Sequence, residues 1–132
     1  MKKFIICFVC LALLIVTFSG CKGQKEPELL NGSYMLSQYM GAYMSPIIKF
    51  DTEKNTFSFH YDYLSSYYAY GEFTIKDNKI FAETDDGKYT YIFEIKDKET
   101  IVFVQEGSSE IDIIDEKAPQ VIDGSKFVLM KE

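Results

Sequence analysis

The stretch "TFSFHYDYLSSYYAYGEFTIKDN" (56–78) contains two runs in which residues alternate between two faces, separated by a serine-containing turn. One face of the first run, 56–63, is aromatic and carries Phe57, Phe59, Tyr61 and Tyr63. Its opposite face carries Ser58, His60 and Asp62. In the second run, 69–76, one face carries Ala69, Gly71, Phe73 and Ile75, and the other carries Tyr70, Glu72, Thr74 and Lys76. Alternation with a period of two predicts antiparallel strands with one face in a core and the other toward water.

The same period continues on both sides of this stretch, with turn residues at short intervals. "KYTYIFEIK" (88–96) aligns one face made of Tyr89, Tyr91, Phe93 and Ile95. "DTEKN" (51–55), "DN" (77–78) and "DDG" (85–87) are typical of turns, some of which need a positive φ. Counting Gly32–Tyr39 as the first strand and Lys126–Met130 as the last gives about eight strands, most of them joined as hairpins.

An all-β meander of about eight antiparallel strands closes into a small barrel, because closure removes the exposed sheet edges. A twisted open sheet or a sandwich is the alternative. The segment Ser108–Ser125 has the weakest pattern and fits a short strand, a helical turn or a long loop.

The N-terminus has the pattern of a secretory signal peptide. Lys2 and Lys3 precede an uncharged apolar run, 4–18, which is too short for a typical membrane-spanning helix of about 20 residues. Ser19-Gly20-Cys21 follows, and "FSGC" resembles the bacterial lipobox, although Phe18 stands where most lipoboxes carry leucine. The resemblance implies cleavage before Cys21 and lipidation of its thiol, and two acyl chains suffice for stable anchoring. A single transmembrane anchor is the alternative.

Three segments are therefore expected: a signal peptide at 1–20, a lipidated cysteine with a polar tether at 21–28, and one β domain at 29–132. The other two cysteines, Cys7 and Cys10, lie in the signal, so the folded domain contains no disulfide and no cysteine ligand. Removing 20 of the 132 residues leaves 112, which is enough for one core without cross-links. Of the 14 basic residues, all lysine, 12 remain against 20 acids, a formal charge of −8. This balance argues against nucleic acids and anionic lipids as partners.

The segment 64–109 resembles a recurrent domain of small secreted and lipid-anchored proteins of Gram-positive bacteria. A similar segment follows the membrane metallopeptidase part of some β-lactam-sensor-like proteins. The shared pattern begins before this segment and is carried by strand and turn residues: Pro46, Phe57, Phe59, Ser65, Ser66, Tyr67, Gly71, Asp85, Asp86, Gly87, Tyr91 and Phe93. The resemblance implies a lipocalin-like β domain on the extracytoplasmic face of the cell membrane, or at the outer membrane in a Gram-negative organism. It implies no catalytic residue.

Catalytic groups are hard to assemble from this sequence. His60 is the only histidine, and Asp62 at i+2 on the same predicted face could orient it, although a plain surface histidine is the simpler interpretation. The serine pairs 65–66 and 108–109 lie at predicted turns, without a G-x-S-x-G motif. Carboxylates that could serve as an acid–base pair or hold Ca²⁺ are more simply solvated turn residues: Asp85, Asp86, Asp112, Asp115, Glu116 and Asp123. The sequence predicts no metal, no cofactor and no enzymatic activity.

The tyrosines remain as candidates for binding. Tyr61 and Tyr63 share a face with phenylalanines, which favours a core role over a ligand cavity or aromatic surface. Tyr67, Tyr68 and Tyr70 surround the serine turn, where at least one ring is expected to stay exposed. With His60, these residues form a candidate binding surface for a small apolar ligand, a glycan or an envelope protein. The sequence favours a binding or sensing module, then a protein–protein module such as an inhibitor, immunity or assembly factor, and last a carboxylate-based hydrolase.

Overall fold

The chain folds into a closed barrel of eight antiparallel strands, each paired with its sequence neighbours, in the computed structural model that describes residues 25, 27–40 and 44–131. The strands are β1 (Gly32–Leu36), β2 (Ile47–Asp51), β3 (Thr56–His60), β4 (Ala69–Lys76), β5 (Lys79–Thr84), β6 (Thr90–Asp97), β7 (Thr100–Val104) and β8 (Lys126–Leu129). The barrel closes where β1 pairs with β8, with Tyr34 opposite Leu129 and Leu36 opposite Phe127.

The predicted all-β meander that closes into an eight-stranded barrel is confirmed. The signal peptide and Cys21 lie outside the described residues. Two predicted strands are shorter in the structure: β1 ends at Leu36 because Ser37–Tyr39 forms a 3-10 turn, and β3 ends at His60 rather than at Tyr63. Among the described residues, the segment 105–125 is a long irregular connection with isolated turns.

Tight turns connect the strands at one end of the barrel, and two of them contain residues with a positive φ. Asp77 and Asn78 have φ of 51° and 60°, which is the type I′ geometry of a two-residue hairpin. Asn55, with φ of 55°, ends the turn between β2 and β3. At the opposite end of the barrel, Gly87 in the predicted "DDG" turn between β5 and β6 also has a positive φ, 67°. The turn chemistry visible in the sequence therefore sets the hairpin register.

The two ends of the barrel differ in their connections. The turn end carries the short turns 52–55, 77–78 and 98–99, and the chain enters β1 there. The loop end carries the longer connections, including 61–68 and 105–125.

The N-terminal segment is fastened across the turn end. The hydroxyl of Tyr34 accepts a hydrogen bond from the Leu30 N–H at 3.1 Å and donates to the Leu30 carbonyl at 3.0 Å. Leu29, one residue earlier, is buried in the core cluster. The chain that precedes the barrel therefore leaves it at the turn end.

Aromatic side chains fill the barrel interior. Phe59 is at the centre, with its ring 5.2 Å from that of Tyr91, 5.8 Å from Phe93 and 5.9 Å from Phe127. The contacts are edge-to-face, the arrangement that aromatic quadrupoles favour. The largest fully buried side chains are Tyr34, Tyr91, Phe50, Phe59, Phe93, Phe103, Phe127, Leu36, Ile48, Ile80, Ile101 and Pro46. The described core is packed with side chains, as in small eight-stranded barrels.

Two positions of β4 show where the alternating pattern reaches its limits. Gly71 faces inward, and a Cβ there would overlap the backbone carbonyl oxygen of Glu83 on β5, so only glycine allows the two strands to approach. The pattern also predicts that Ile75 is buried on the same inward face. This prediction is wrong, because 46% of the residue is exposed near the turn end.

Candidate functional site

Seven tyrosines of the loop end divide into an inner cluster and an outer surface. The inner cluster consists of Tyr61, Tyr67, Tyr89 and Tyr91. Tyr91 is fully buried and its hydroxyl donates to that of Tyr61 at 3.2 Å, while the rings of Tyr89 and Tyr91 stack at 6.4 Å. Burial raises the pKa of Tyr91, and desolvation likewise raises the pKa of Tyr61. These phenols therefore remain neutral hydrogen-bonding groups at physiological pH.

The long connection 105–125 covers this inner cluster. Ile113 and Val121 are buried in the core cluster, and Ile111 and Ala118 pack against it. The hydroxyl of Ser108 accepts the Ile92 N–H at 2.8 Å. The serines of the 108–109 pair therefore serve to fasten the connection along β6, since Ser109 accepts the Thr90 N–H in the same way at 2.9 Å.

Asp62 holds the same connection from the opposite side. The prediction that Asp62 lies on the polar, solvent-facing side is wrong, because the residue is only 4% exposed. Its carboxylate accepts the Leu64 N–H at 2.8 Å and the Ile114 N–H at 3.1 Å. Burial of a carboxylate is tolerated where it is hydrogen-bonded, and here both bonds fix backbone of the loop end.

The outer surface, called the aromatic platform below, consists of His60, Tyr63, Tyr68 and Tyr70. The ring of His60 lies 4.1 Å from that of Tyr63 and 6.1 Å from that of Tyr68. The rings of Tyr68 and Tyr70 are 6.1 Å apart and tilted by 32°. Tyr68 and Tyr70 are 54% and 53% exposed, so the expectation of an exposed ring beside the serine turn is met.

Two tyrosines are on different sides from those predicted. The pattern placed Tyr63 on the face of Phe57 and Phe59, but β3 ends before it, and the Tyr63 ring packs on His60 while its hydroxyl donates to the Ser45 carbonyl at 3.1 Å. Tyr67 was grouped with Tyr68 and Tyr70, but its ring packs 5.1 Å from Tyr89. The chain leaves strand geometry after His60, and period two no longer decides which way a side chain points.

Several carboxylates of the loop end organise turns. The hydroxyls of Thr84 and Tyr67 donate to the Asp86 carboxylate at 2.7 and 3.1 Å, and the Thr84 bond contributes most to lowering the pKa of Asp86. Asp115 accepts the Lys117 N–H and Asp123 the Gln105 N–H, both at 2.9 Å. Across the part of the chain that the structure describes, no three His, Cys, Asp or Glu residues are grouped to hold a metal ion.

Sequence reasoning missed a pair of glutamates beside the platform. Glu72 on β4 stands directly opposite Glu83 on β5, and both are exposed. The signal was present in the sequence, because counting back from the two-residue turn Asp77–Asn78 pairs 76 with 79 and hence 72 with 83.

Comparisons with known proteins add no relative. The chain matches no protein-family model, no curated protein and no solved structure. Among the described residues, no helix is long and apolar enough to cross a membrane.

Proposed function

We propose that this protein is a lipid-anchored extracytoplasmic lipoprotein that acts as a non-enzymatic binding module, and that it binds a partner protein through the aromatic platform. The observation that carries this proposal is the contrast between a filled barrel interior and exposed rings on its outside. A small apolar ligand is less well supported, because aromatic side chains already occupy the described core.

The geometry of the platform supports recognition by side chains. Each strand of the closed barrel is paired on both sides, so a partner finds no free sheet edge on which to add a strand. Tyr68 and Tyr70 instead offer large rings with few rotatable bonds, of the kind enriched at protein interfaces. The His60 ring packs beside Tyr68, and the Tyr63 ring packs on His60.

The expected anchor at Cys21 supports the same arrangement. The described chain leaves the barrel at the turn end, where Tyr34 binds the backbone of Leu30. A lipid on Cys21 and a tether that reaches at most about 25 Å would hold the turn end near the bilayer. The platform, at the loop end, would then face away from the membrane, where envelope proteins can reach it.

A first experiment tests the anchor. Cells that express the full chain are labelled with radioactive palmitate, and the Cys21→Ala variant is compared with the Cys10→Ala variant. We expect label on the wild type and on Cys10→Ala, and none on Cys21→Ala. Equal label on Cys21→Ala would contradict lipidation at this residue.

A second experiment tests the platform. A photoreactive benzoylphenylalanine replaces Tyr68 or Tyr70 in the full chain, in the cells from which the protein comes, and Ile75 serves as an exposed control on the same strand. We expect a discrete cross-linked protein from the two platform positions and not from Ile75. Adducts that are absent, or identical at all three positions, would overturn the proposed binding surface.

A further inference from the structure

The charge around the aromatic platform indicates what kind of partner fits it. Glu72 follows Tyr70 on the same outward face of β4, and Glu83 lies directly opposite Glu72 on β5. Asp85 lies beside Tyr70, because the Asp85 N–H donates a hydrogen bond to the Tyr70 carbonyl at 3.0 Å. All three carboxylates are exposed, so they surround one side of the platform with negative charge.

None of these three carboxylates forms an ion pair with a lysine within the described chain. The ion pairs among the described residues join Lys54 to Asp51, Lys88 to Asp86 and Lys96 to Glu94. Like charges directly opposite each other across two strands are destabilising, so the Glu72–Glu83 pair carries a cost that a bound cation would relieve.

The outer surface around the two glutamates is concave and begins next to Tyr70, the preceding outward residue of β4. A shallow cleft on the outside of β4 and β5 is lined by Glu72, Thr74, Phe81, Glu83, Asp85 and Thr90. The aromatic ring of Phe81 and the methylene groups of the glutamates can accommodate the apolar stem of a long basic side chain, while the carboxylates meet its charged head.

We propose that the aromatic platform and this cleft together form a docking surface for a lysine- or arginine-bearing segment of a protein partner. The inference rests on the proposed binding function and specifies the chemistry of the partner. A cation placed over a tyrosine face is attracted by the ring, and a neighbouring carboxylate strengthens its binding.

The wider charge of the loop end favours the same partner. The connection 105–125 contains Lys117 as its one cation against six acids: Glu106, Glu110, Asp112, Asp115, Glu116 and Asp123. A surface of one sign steers oppositely charged partners during encounter, and this effect weakens as salt screens it. Under the proposed anchoring, this acidic end would face away from the membrane.

The test uses the full chain purified in a non-ionic detergent and three fluorescent ten-residue peptides that alternate glycine with lysine, glutamine or glutamate. Binding is measured by fluorescence anisotropy at low and at physiological salt. We expect the lysine peptide to bind, with lower affinity at higher salt, and the other two to bind at least about tenfold more weakly. Equal binding of the lysine and glutamine peptides would overturn the inference.

Matched variants distinguish binding at this surface from general electrostatic attraction to the acidic loop end. The double variant E72Q/E83Q should weaken binding of the lysine peptide about tenfold, whereas E106Q/E116Q, with the same change of charge on exposed loop residues, should change it less than about twofold. Tyr70→Ala should weaken binding about tenfold, whereas Tyr70→Phe, which keeps the ring, should change it little. Equal losses of affinity in the two double variants would show that the peptide is attracted only by the overall negative charge, and would refute the docking surface.

The two proposals fail in different ways. If the cross-link from Tyr70 persists in E72Q/E83Q and the lysine peptide does not bind, the platform still binds a protein but the partner is not recognised by basic side chains. An uncharged surface of the cross-linked protein would then be the occupant to pursue. If no position of the platform yields a cross-link, both proposals fall. Circular dichroism of each variant confirms that the barrel is intact.

Discussion

Phe59 and Tyr70 occupy neighbouring strands of the same hairpin but belong to opposite sides of the barrel wall. Phe59 is buried at the centre of an aromatic core, whereas Tyr70 is 53% exposed beside Tyr68. The register explains the difference, since Phe59 is paired with Ala69, and Tyr70, one residue further, points to the other face. Aromatic content alone therefore does not distinguish a core from a binding surface in this chain, and the register does.

The largest loss of stability is expected when a buried core ring is removed. Phe59→Ala removes a ring that packs against Tyr91, Phe93 and Phe127, and it should lower the free energy of unfolding by about 3–5 kcal/mol. Urea denaturation followed by circular dichroism measures this change. A loss below about 1 kcal/mol would mean that the core is less tightly packed around Phe59 than its contacts indicate.

A smaller effect is expected where the loop end is fastened over the inner tyrosines. Asp62→Ala leaves the N–H groups of Leu64 and Ile114 without their acceptor, which should cost about 2–3 kcal/mol. Hydrogen exchange of the Ile114 amide should accelerate more than that of amides in β6. Asp112→Ala, at an exposed position on the same connection, is the control and should change stability by less than about 0.5 kcal/mol. Slow exchange at Ile114 in the Asp62 variant would show that other contacts hold the connection.

These two sites also show how far sequence reasoning reached. Alternation around Phe59 and turn residues such as Asp77–Asn78 predicted the barrel, because both signals are local and act within a strand or hairpin. The burial of Asp62 was not predicted, because the residue lies two positions beyond the end of β3 and its carboxylate binds the backbone of Ile114, 52 residues further along the chain. A contact of that range leaves no periodic signal in the sequence.

The candidate surface was predictable to the extent that it lies on strands. Tyr70 and Glu72 alternate outward along β4 as the pattern predicted. Tyr63 and Tyr67 lie between β3 and β4, where backbone turns rather than strand period set the direction of each side chain. The sequence could therefore nominate the tyrosines but could not sort them into an inner cluster and an outer platform.

A pH titration tests how burial affects the ionisation of two core tyrosines. Burial raises the pKa of Tyr34 to about 12, and it also raises that of Tyr91, so the folded barrel resists ionisation that the unfolded chain undergoes near its ordinary pKa of 10.0. The resulting stability is complete below pH 10 and should be lost as the pH rises toward about 12.

Two measurements check this expectation. Absorbance of the phenolate should show that the buried Tyr34 and Tyr91 ionise only as the barrel unfolds, so that the two signals change together. Tyr34→Phe should cost about 1 kcal/mol at neutral pH through its lost hydrogen bonds, and should make the alkaline loss of stability shallower. If Tyr34 and Tyr91 ionised while the barrel stayed folded, they would be more accessible than their burial indicates.

The smallest loss of stability is expected when an exposed platform ring is removed. Tyr70→Ala removes a ring whose neighbour in the platform, Tyr68, is itself exposed, so the free energy of unfolding should fall by less than about 1 kcal/mol. The same change should weaken binding of the cross-linked partner by about 2 kcal/mol or more, as aromatic hot spots do. Ile75→Ala, at an exposed site on the same strand, should leave both quantities nearly unchanged. If Tyr70→Ala proved as destabilising as Phe59→Ala, the Tyr70 ring would be part of the packed core. The platform would then not be a binding surface.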